Sequence, residues 1–306
     1  MRRGRISKWA LIVYFLIFLL FLYGPILVMA VLSLQGPLGS ITFPVKGFGF
    51  GWWQSLFDQD VLFSSADRIR TTGPRSLLLA LAAGALVSYF SLGLSMAFRR
   101  RFRADGVLFY LIMLALMTPG ILLSLGTSLF WQSTGYQPGL WQTALGTNVV
   151  WGVPFGFLVM VAVWNRYDRR VEEAARDLGA DTRTTFREVT LPLIWTGLFG
   201  AFLFGFTLSW NEYDRTALVL GSGQATLPLH VVSLTLASVI RPDLYALGTA
   251  TTLVSLLGVA IFLVGATIAL RRRAAAPSAA VKAKEELGEV TGAEPDEPAG
   301  APARAR

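Results

Sequence analysis

TALGTNVVWGVPFGFLVMVAVW (Thr143–Trp164) and LIWTGLFGAFLFGFTLSW (Leu193–Trp210) contain no Asp, Glu, Lys, Arg or His, and between them lies RYDRRVEEAARDLGADTRTTFREVTLP (Arg166–Pro192). Each uncharged piece approaches the ~20 helical residues that cross a ~30 Å hydrocarbon layer at ~1.5 Å per residue. Four more such stretches follow the same pattern: Leu11–Leu34, Ser76–Phe98, Gly106–Phe130 and Ala246–Leu270. Burying all six in a soluble core would need a far larger protein. The composition agrees: 54% of residues are hydrophobic and 15% charged, where a soluble domain carries about a quarter charged. The fold class is therefore all-α, with six membrane-spanning helices.

The basic residues orient this bundle. Arg2, Arg3, Arg5 and Lys8 precede the first stretch, Arg99, Arg100, Arg101 and Arg103 follow the second, and Arg271, Arg272 and Arg273 close the sixth. Arg166–Pro192 adds six more arginines on the same side. The opposite segments hold scattered Arg and Lys, partly offset by Asp and Glu. The positive-inside bias places both termini in the cytoplasm. It also accounts for the net charge of +8, because every cluster abuts an apolar end, so no nucleic-acid partner is inferred. The first stretch is too long for a signal peptide and lacks a small-residue cleavage site, so it reads as a retained anchor. With no cysteine in the chain, disulfides, thiolate metal sites and thiol catalysis are excluded.

The chain divides into residues 1–34 (cytoplasmic start and first span), 35–73 (extracytoplasmic), 74–270 (a five-helix core) and 271–306 (a tail). In the second part, Phe48–Phe57 with Trp52 and Trp53 suits a short interfacial helix. Pro74 stands where a first-turn proline is favoured at the start of the second span. Leu227–Ile240 reads as one amphipathic helix. From Ala274 onward Ala, Pro, Glu and Lys replace any apolar period, which predicts disorder.

Within Arg166–Pro192, Asp168 can cap a helix whose Val171, Ala174, Ala175 and Leu178 share one face. Gly179 stands where a left-handed C-terminal residue belongs, and Asp181 can cap a second helix running to Pro192. Two alanines in the stripe permit close approach by another surface, where a lipid-facing helix would prefer Leu and Phe. The segment is built for a protein partner.

The spacing Glu173-Ala174-Ala175, then Gly179, then Val189-x-Leu191-Pro192 resembles the EAA loop of binding-protein-dependent ATP-binding-cassette importer permeases of type I, with Val189 where Ile is usual. The resemblance covers about Trp9 to Leu270. It implies that the loop docks in a groove of a separate ATPase subunit, with Glu173, Ala174, Ala175 and Gly179 at the contact and Leu191 and Pro192 completing the motif. It further implies two ATPase subunits, a second permease (paralogous, or a second copy), an extracytoplasmic binding protein, a small-molecule substrate and a bacterial inner-membrane location. Pro25 and Pro119 look like proline sites common in these permeases and are candidate gating points, with tolerated helix kinks as the alternative.

The energy source fits that resemblance. No Gly-x-x-x-x-Gly-Lys-Ser/Thr loop surrounds Lys8, Lys46, Lys282 or Lys284, so nucleotide has no phosphate cradle here. An ion-coupled secondary carrier would need ionisable groups at membrane depth, and the six stretches have none; backbone-carbonyl ion sites stay open. A membrane enzyme would need an acid–histidine or metal set, and His230 is the sole histidine, read as a surface or packing residue. No catalytic residue, cofactor or metal ligand is assigned.

Trp210, Glu212, Tyr213 and Asp214 end the fifth span. If the helix continues through Ala217–Leu220 they lie near a translocation path, where acids and aromatics can pass an ammonium group. If it ends at Trp210 they are interfacial and loop residues. The run Leu208–Thr252, with Glu212 just after the Ser209-Trp210 pair, looks most like the spermidine/putrescine branch, with iron, thiamine and phosphonate branches sharing much of the pattern.

Overall fold

Prolines stand inside three of the long apolar helices without breaking them, and a fourth stretch breaks at one. A computed structural model describes residues 3–36, 42–57, 66–100, 102–221, 223–237 and 242–291. In chain order its helices are α1 Arg3–Ser33, α2 Gly51–Ser55, α3 Ala66–Phe98, α4 Asp105–Met117, α5 Gly120–Ser133 and α6 Leu145–Trp164. There follow α7 Arg170–Asp177, α8 Thr182–Thr184, α9 Leu191–Trp210, α10 Asp214–Val219, α11 Leu227–Ala237 and α12 Pro242–Thr291. π-helical turns, Leu140–Ala144 and Thr185–Thr190, lead into α6 and α9.

Among the described residues, five helices are long and apolar enough to cross a membrane. The third stretch of the sequence is instead broken: α4 and α5 meet at 97°. Thr118 and Pro119 are both extended there, with ψ 126° and 123°. The proline ring disfavours the α conformation for the residue before it, and Thr118 is extended accordingly. Pro25 and Pro74 leave α1 and α3 unbroken. Pro74 is therefore inside α3 and not in its first turn, because the helix already begins at Ala66. Pro192, at the start of α9, also lies within a continuous helical run from Thr182 to Trp210. Having no N–H to donate, it follows a π turn in which the ladder has already widened.

Helices α3, α6 and α9 form the core, with Leu79, Ala83 and Val87 of α3, Phe157 and Met160 of α6, and Ile194 and Ala201 of α9 all buried. They approach closely because glycines meet at the crossings. A Cβ on Gly205 would lie 2.9 Å from Gly84 Cα, and one on Gly152 would lie 2.6 Å from Val87 Cγ2. Polar groups bridge the same seams: Ser88 Oγ donates to the Leu198 carbonyl at 2.8 Å, and Asn148 Nδ2 to Ser209 Oγ at 3.0 Å. Small residues plus side-chain hydrogen bonds are how helices associate where lipid removes the hydrophobic drive between them.

By contrast α1 is apolar and largely exposed between Lys8 and Val28, with Phe21 at 80%. Its C-terminal end is fastened where Trp53 Nε1 donates to Ser33 Oγ at 3.3 Å. The expected interfacial helix at Phe48–Phe57 shortens to α2, and α11 ends at Ala237, with 238–241 outside the described residues. The chain splits into two compact units, residues 1–259 and 260–306. In the second, the disorder expected from Ala274 is not found before Thr291, since α12 runs that far; alanine, lysine and glutamate are strong helix formers without any packing. Residues 292–306 of the expected tail lie outside the described residues.

Candidate functional site

The charged segment between α6 and α9 folds as a two-helix elbow in which Asp181 holds the N-cap of α8 as expected. The N-cap of α7 instead falls on Arg169, without a side-chain cap, and Asp168 bonds from one residue ahead of it. The Arg170 N–H donates to Asp168 Oδ1 at 3.0 Å, and the Thr184 N–H to Asp181 Oδ1 at 2.9 Å. Gly179 has φ +89°. Its N–H reaches the Arg176 carbonyl at 2.9 Å and the Ala180 N–H reaches Ala175 at 3.1 Å, the paired bonds of a Schellman stop. The second helix does not end at Pro192 but continues into α9, so the elbow is of one piece with a span.

Of the apolar stripe on α7, Val171, Ala174 and Leu178 are exposed, Leu178 at 90%, and Ala175 is half-buried. Glu173 is exposed beside them, and the space around Gly179 is empty. Leu191 is half-buried at the base of α9.

The inward side of α7 holds a residue that the sequence reading passed over. Glu172 is 8% exposed. Its Oε1 accepts from Tyr167 Oη and Thr190 Oγ1, each at 2.9 Å, and pairs with Arg99 at 3.0 Å. Its Oε2 faces Arg176 at 3.8 Å. The Arg99 guanidinium lies over the Trp164 ring, 4.3 Å from the centroid, and Arg169 donates to the Arg99 carbonyl. The signal available in the sequence was the Glu172/Arg176 pair at i, i+4; nothing local announces Arg99, 73 positions earlier.

Burial acts to raise the Glu172 carboxyl, but hydrogen bonds from Thr190 and Tyr167 and the Arg99 charge outweigh it and hold the group below the usual carboxylate range. A lowered folded pKa contributes stability that is present above the unfolded value and is lost as pH falls through the folded one. Protection of α7 amides, corrected for intrinsic exchange, should therefore fall as pH drops below about 4. It should show no such step in Glu172→Gln. A wild-type profile without the step would contradict this account of how α7 is held.

At the other end of α9 the helix stops at Trp210, with Asn211 as its C-cap, and restarts as α10 at Asp214. Of the two alternatives for this segment, the helix that ends at Trp210 is the one observed. Trp210 is a packing residue: it is 5% exposed, stacks on Phe206, and donates from Nε1 to the Thr251 carbonyl at 3.3 Å. Glu212 is not a free loop acid either, because it pairs with Arg215, 4% exposed, whose guanidinium lies 4.7 Å from the centre of the Trp151 ring. The Arg215 stem abuts Gly120, just past the Pro119 break. Tyr213 is half-buried and Asp214 exposed. His230 is buried at 3% exposure, so of its two readings packing is the one observed.

A family model described as "Binding-protein-dependent transport system inner membrane component" matches residues 90–274. Among curated proteins, the chain is 28% identical over 236 residues to the spermidine/putrescine transport system permease protein PotC of Haemophilus influenzae, covering 77% of this chain and 88% of that one. It is 27% identical over 249 residues to the putrescine transport system permease protein PotI of Escherichia coli K12, covering 79% and 85%. Among solved structures, it resembles a chain of the MetNI methionine ABC transporter in inward-facing conformations, with TM-score 0.56 and 17% identity, covering 69% of this chain and 99% of that one. It also resembles a chain of a bacterial ABC transporter importing the acidic polysaccharide alginate, with TM-score 0.52 and 19% identity, covering 87% and 97%. At these identities the two structures speak to the fold alone.

Proposed function

This chain belongs to the family of binding-protein-dependent transport system inner membrane components, and from that premise we propose how its parts serve an importer. It is a multi-pass membrane protein and a permease subunit of an ATP-binding-cassette importer, not an enzyme. In our reading the arginine-rich end faces the cytoplasm of a bacterial inner membrane, with both termini there. The elbow docks into a groove of an ATP-hydrolysing subunit through Glu173, Ala174, Ala175 and Gly179, and Leu191 and Pro192 open the span that receives the motion. Two such ATPases, a second permease and an extracytoplasmic binding protein complete the assembly. The observation that carries this reading is the exposed Val171/Ala174/Leu178 stripe beside the open Gly179. An apolar face on so charged a helix calls for a protein partner.

We assign the substrate as a polyamine, on the strength of relatives that are named for spermidine and putrescine. Glu212 is neutralised by Arg215, so within the acidic cluster Asp214 is the acid better placed to attract an ammonium group. The assembled importer in proteoliposomes should take up labelled spermidine only with ATP and binding protein present. Asp214→Asn should weaken that uptake by about tenfold at limiting substrate. Glu212→Gln alone would strand a buried arginine, so the cleaner variant is Glu212→Gln with Arg215→Gln. Unchanged kinetics in both would remove the path assignment, and ATP-driven uptake of iron, thiamine or a phosphonate in place of spermidine would replace the polyamine.

A further inference from the structure

We infer that Glu172, outside the Glu173–Pro192 motif, is the positioning residue through which movement of the elbow reaches the membrane helices. The inference rests on the docking of α7 proposed above and concerns what happens after docking. Among the described residues, the side-chain hydrogen bonds and ion pairs from α7 to other elements all end on this one carboxylate. It holds Arg99, one residue past the end of α3. It holds Tyr167, three residues past α6, and Thr190, which leads directly into α9. Those three helices form the packed core. The opposite face of α7 is exposed and, among the described residues, its side chains make no hydrogen bond or ion pair, so a push delivered there has a charged, nearly buried anchor on its inner side.

The chemistry suits force transmission better than apolar contact would. A carboxylate bonded at once to a guanidinium and two hydroxyls is directional and short-ranged, and the guanidinium is itself clamped over Trp164, whose Nε1 donates to Ser95 of α3 at 3.0 Å. The alanines on the docking side can slide; the Glu172 cluster cannot without breaking a partly buried ion pair, which is costly when one partner is lost. Loss of this link should leave docking and hydrolysis running but disconnected from the spans.

The test uses the assembled importer in proteoliposomes, reading uptake per ATP hydrolysed. The chain has no cysteine, so Arg183→Cys on the exposed elbow gives a single site for crosslinking to the ATPase. A crosslink in the otherwise unaltered assembly tests docking itself; its absence would sink the function proposed for the elbow and not only this inference. With docking present, Glu172→Gln should keep the crosslink and ATP hydrolysis and lower uptake per ATP by about tenfold, within the range of ordinary coupling effects. Arg99→Gln and Thr190→Val approach the same node from the membrane side and should lower the same ratio. Each combined with Glu172→Gln should add nothing further, since all break one link. Unchanged uptake per ATP in Glu172→Gln overturns the inference. So do additive losses in the double variants, or loss of the crosslink in all three single variants, which would make the cluster a folding element only.

Discussion

Replacing Gly179 with aspartate is expected to abolish uptake by the assembled importer while the chain still inserts and folds. Two effects of the change can be separated. Within the chain, Gly179 sits at φ +89°, so any L-residue incurs left-handed strain of about 1–2 kcal/mol, and aspartate is among the side chains that tolerate it best. A Cβ there meets nothing within 4 Å, so no clash is added. Strain of that size, at an exposed turn, does not unfold a helical core. In the docking proposed for the elbow, the damage arises with the partner: a charged side chain is pushed into a contact that Ala174, Ala175 and a bare glycine leave room for. Blocking such a contact costs what losing an interface hot spot does, so uptake should fall by about 100-fold or more. Gly179→Asn carries the same bulk without charge and Gly179→Ala at least as much strain with little bulk, so the order Asp, Asn, Ala in severity separates charge and bulk from strain. Uptake and binding-protein-stimulated ATPase activity, measured together, decide it. Transport at the normal rate in Gly179→Asp would mean that the elbow is not where the ATPase engages.

The elbow was legible because its signals are local. Asp168, Gly179 and Asp181 act within three residues of themselves, and their hydrogen bonds formed as the spacing required. The apolar stretches were equally legible, since an uncharged run of span length has few alternatives. What the sequence left open was set at long range. Pro119 marked a weak point, but whether it bends a helix slightly or breaks it by 97° depends on what each half packs against; α5 is held by α10 through the Arg215 stem against Gly120. The sequence leaves Glu212 between a path residue and a loop residue, and its pairing with Arg215, though local, depends on α10 starting at Asp214 just after α9 ends. Glu172 read as one more charge on a charged segment, its importance depending on Arg99 from a distant helix end. Glycines in uncharged runs look alike in sequence; only the crossing of α3, α6 and α9 separates Gly205 from Gly126.

That separation predicts the second large effect. Gly205→Val is expected to cost the most stability of any single glycine replacement in the core. A Cβ at 205 would stand 2.7 Å from Val87 Cβ and 2.9 Å from Gly84 Cα. Neither is the far end of a flexible side chain, so relief requires α3 and α9 to move apart. Val87 is fully buried, and two seams close by depend on the present spacing: the Ser88 bond to the Leu198 carbonyl, and the Asn148 bond to Ser209. Overpacking of this kind costs about 1–3 kcal/mol before any hydrogen bond is lost, and each stretched bond between buried groups adds about 1 kcal/mol. In a chain of this size the melting temperature in detergent should fall by about 5 °C or more. Gly126→Ala is the matched control: it lies inside α5 with nothing within 4 Å of the new Cβ, and removing an interior helical glycine contributes up to about 1 kcal/mol of helix propensity. Its melting temperature should hold or rise. Equal melting of Gly205→Val and the unaltered chain would mean that α3 and α9 do not cross at these glycines, and the core would have to be rebuilt around a different contact.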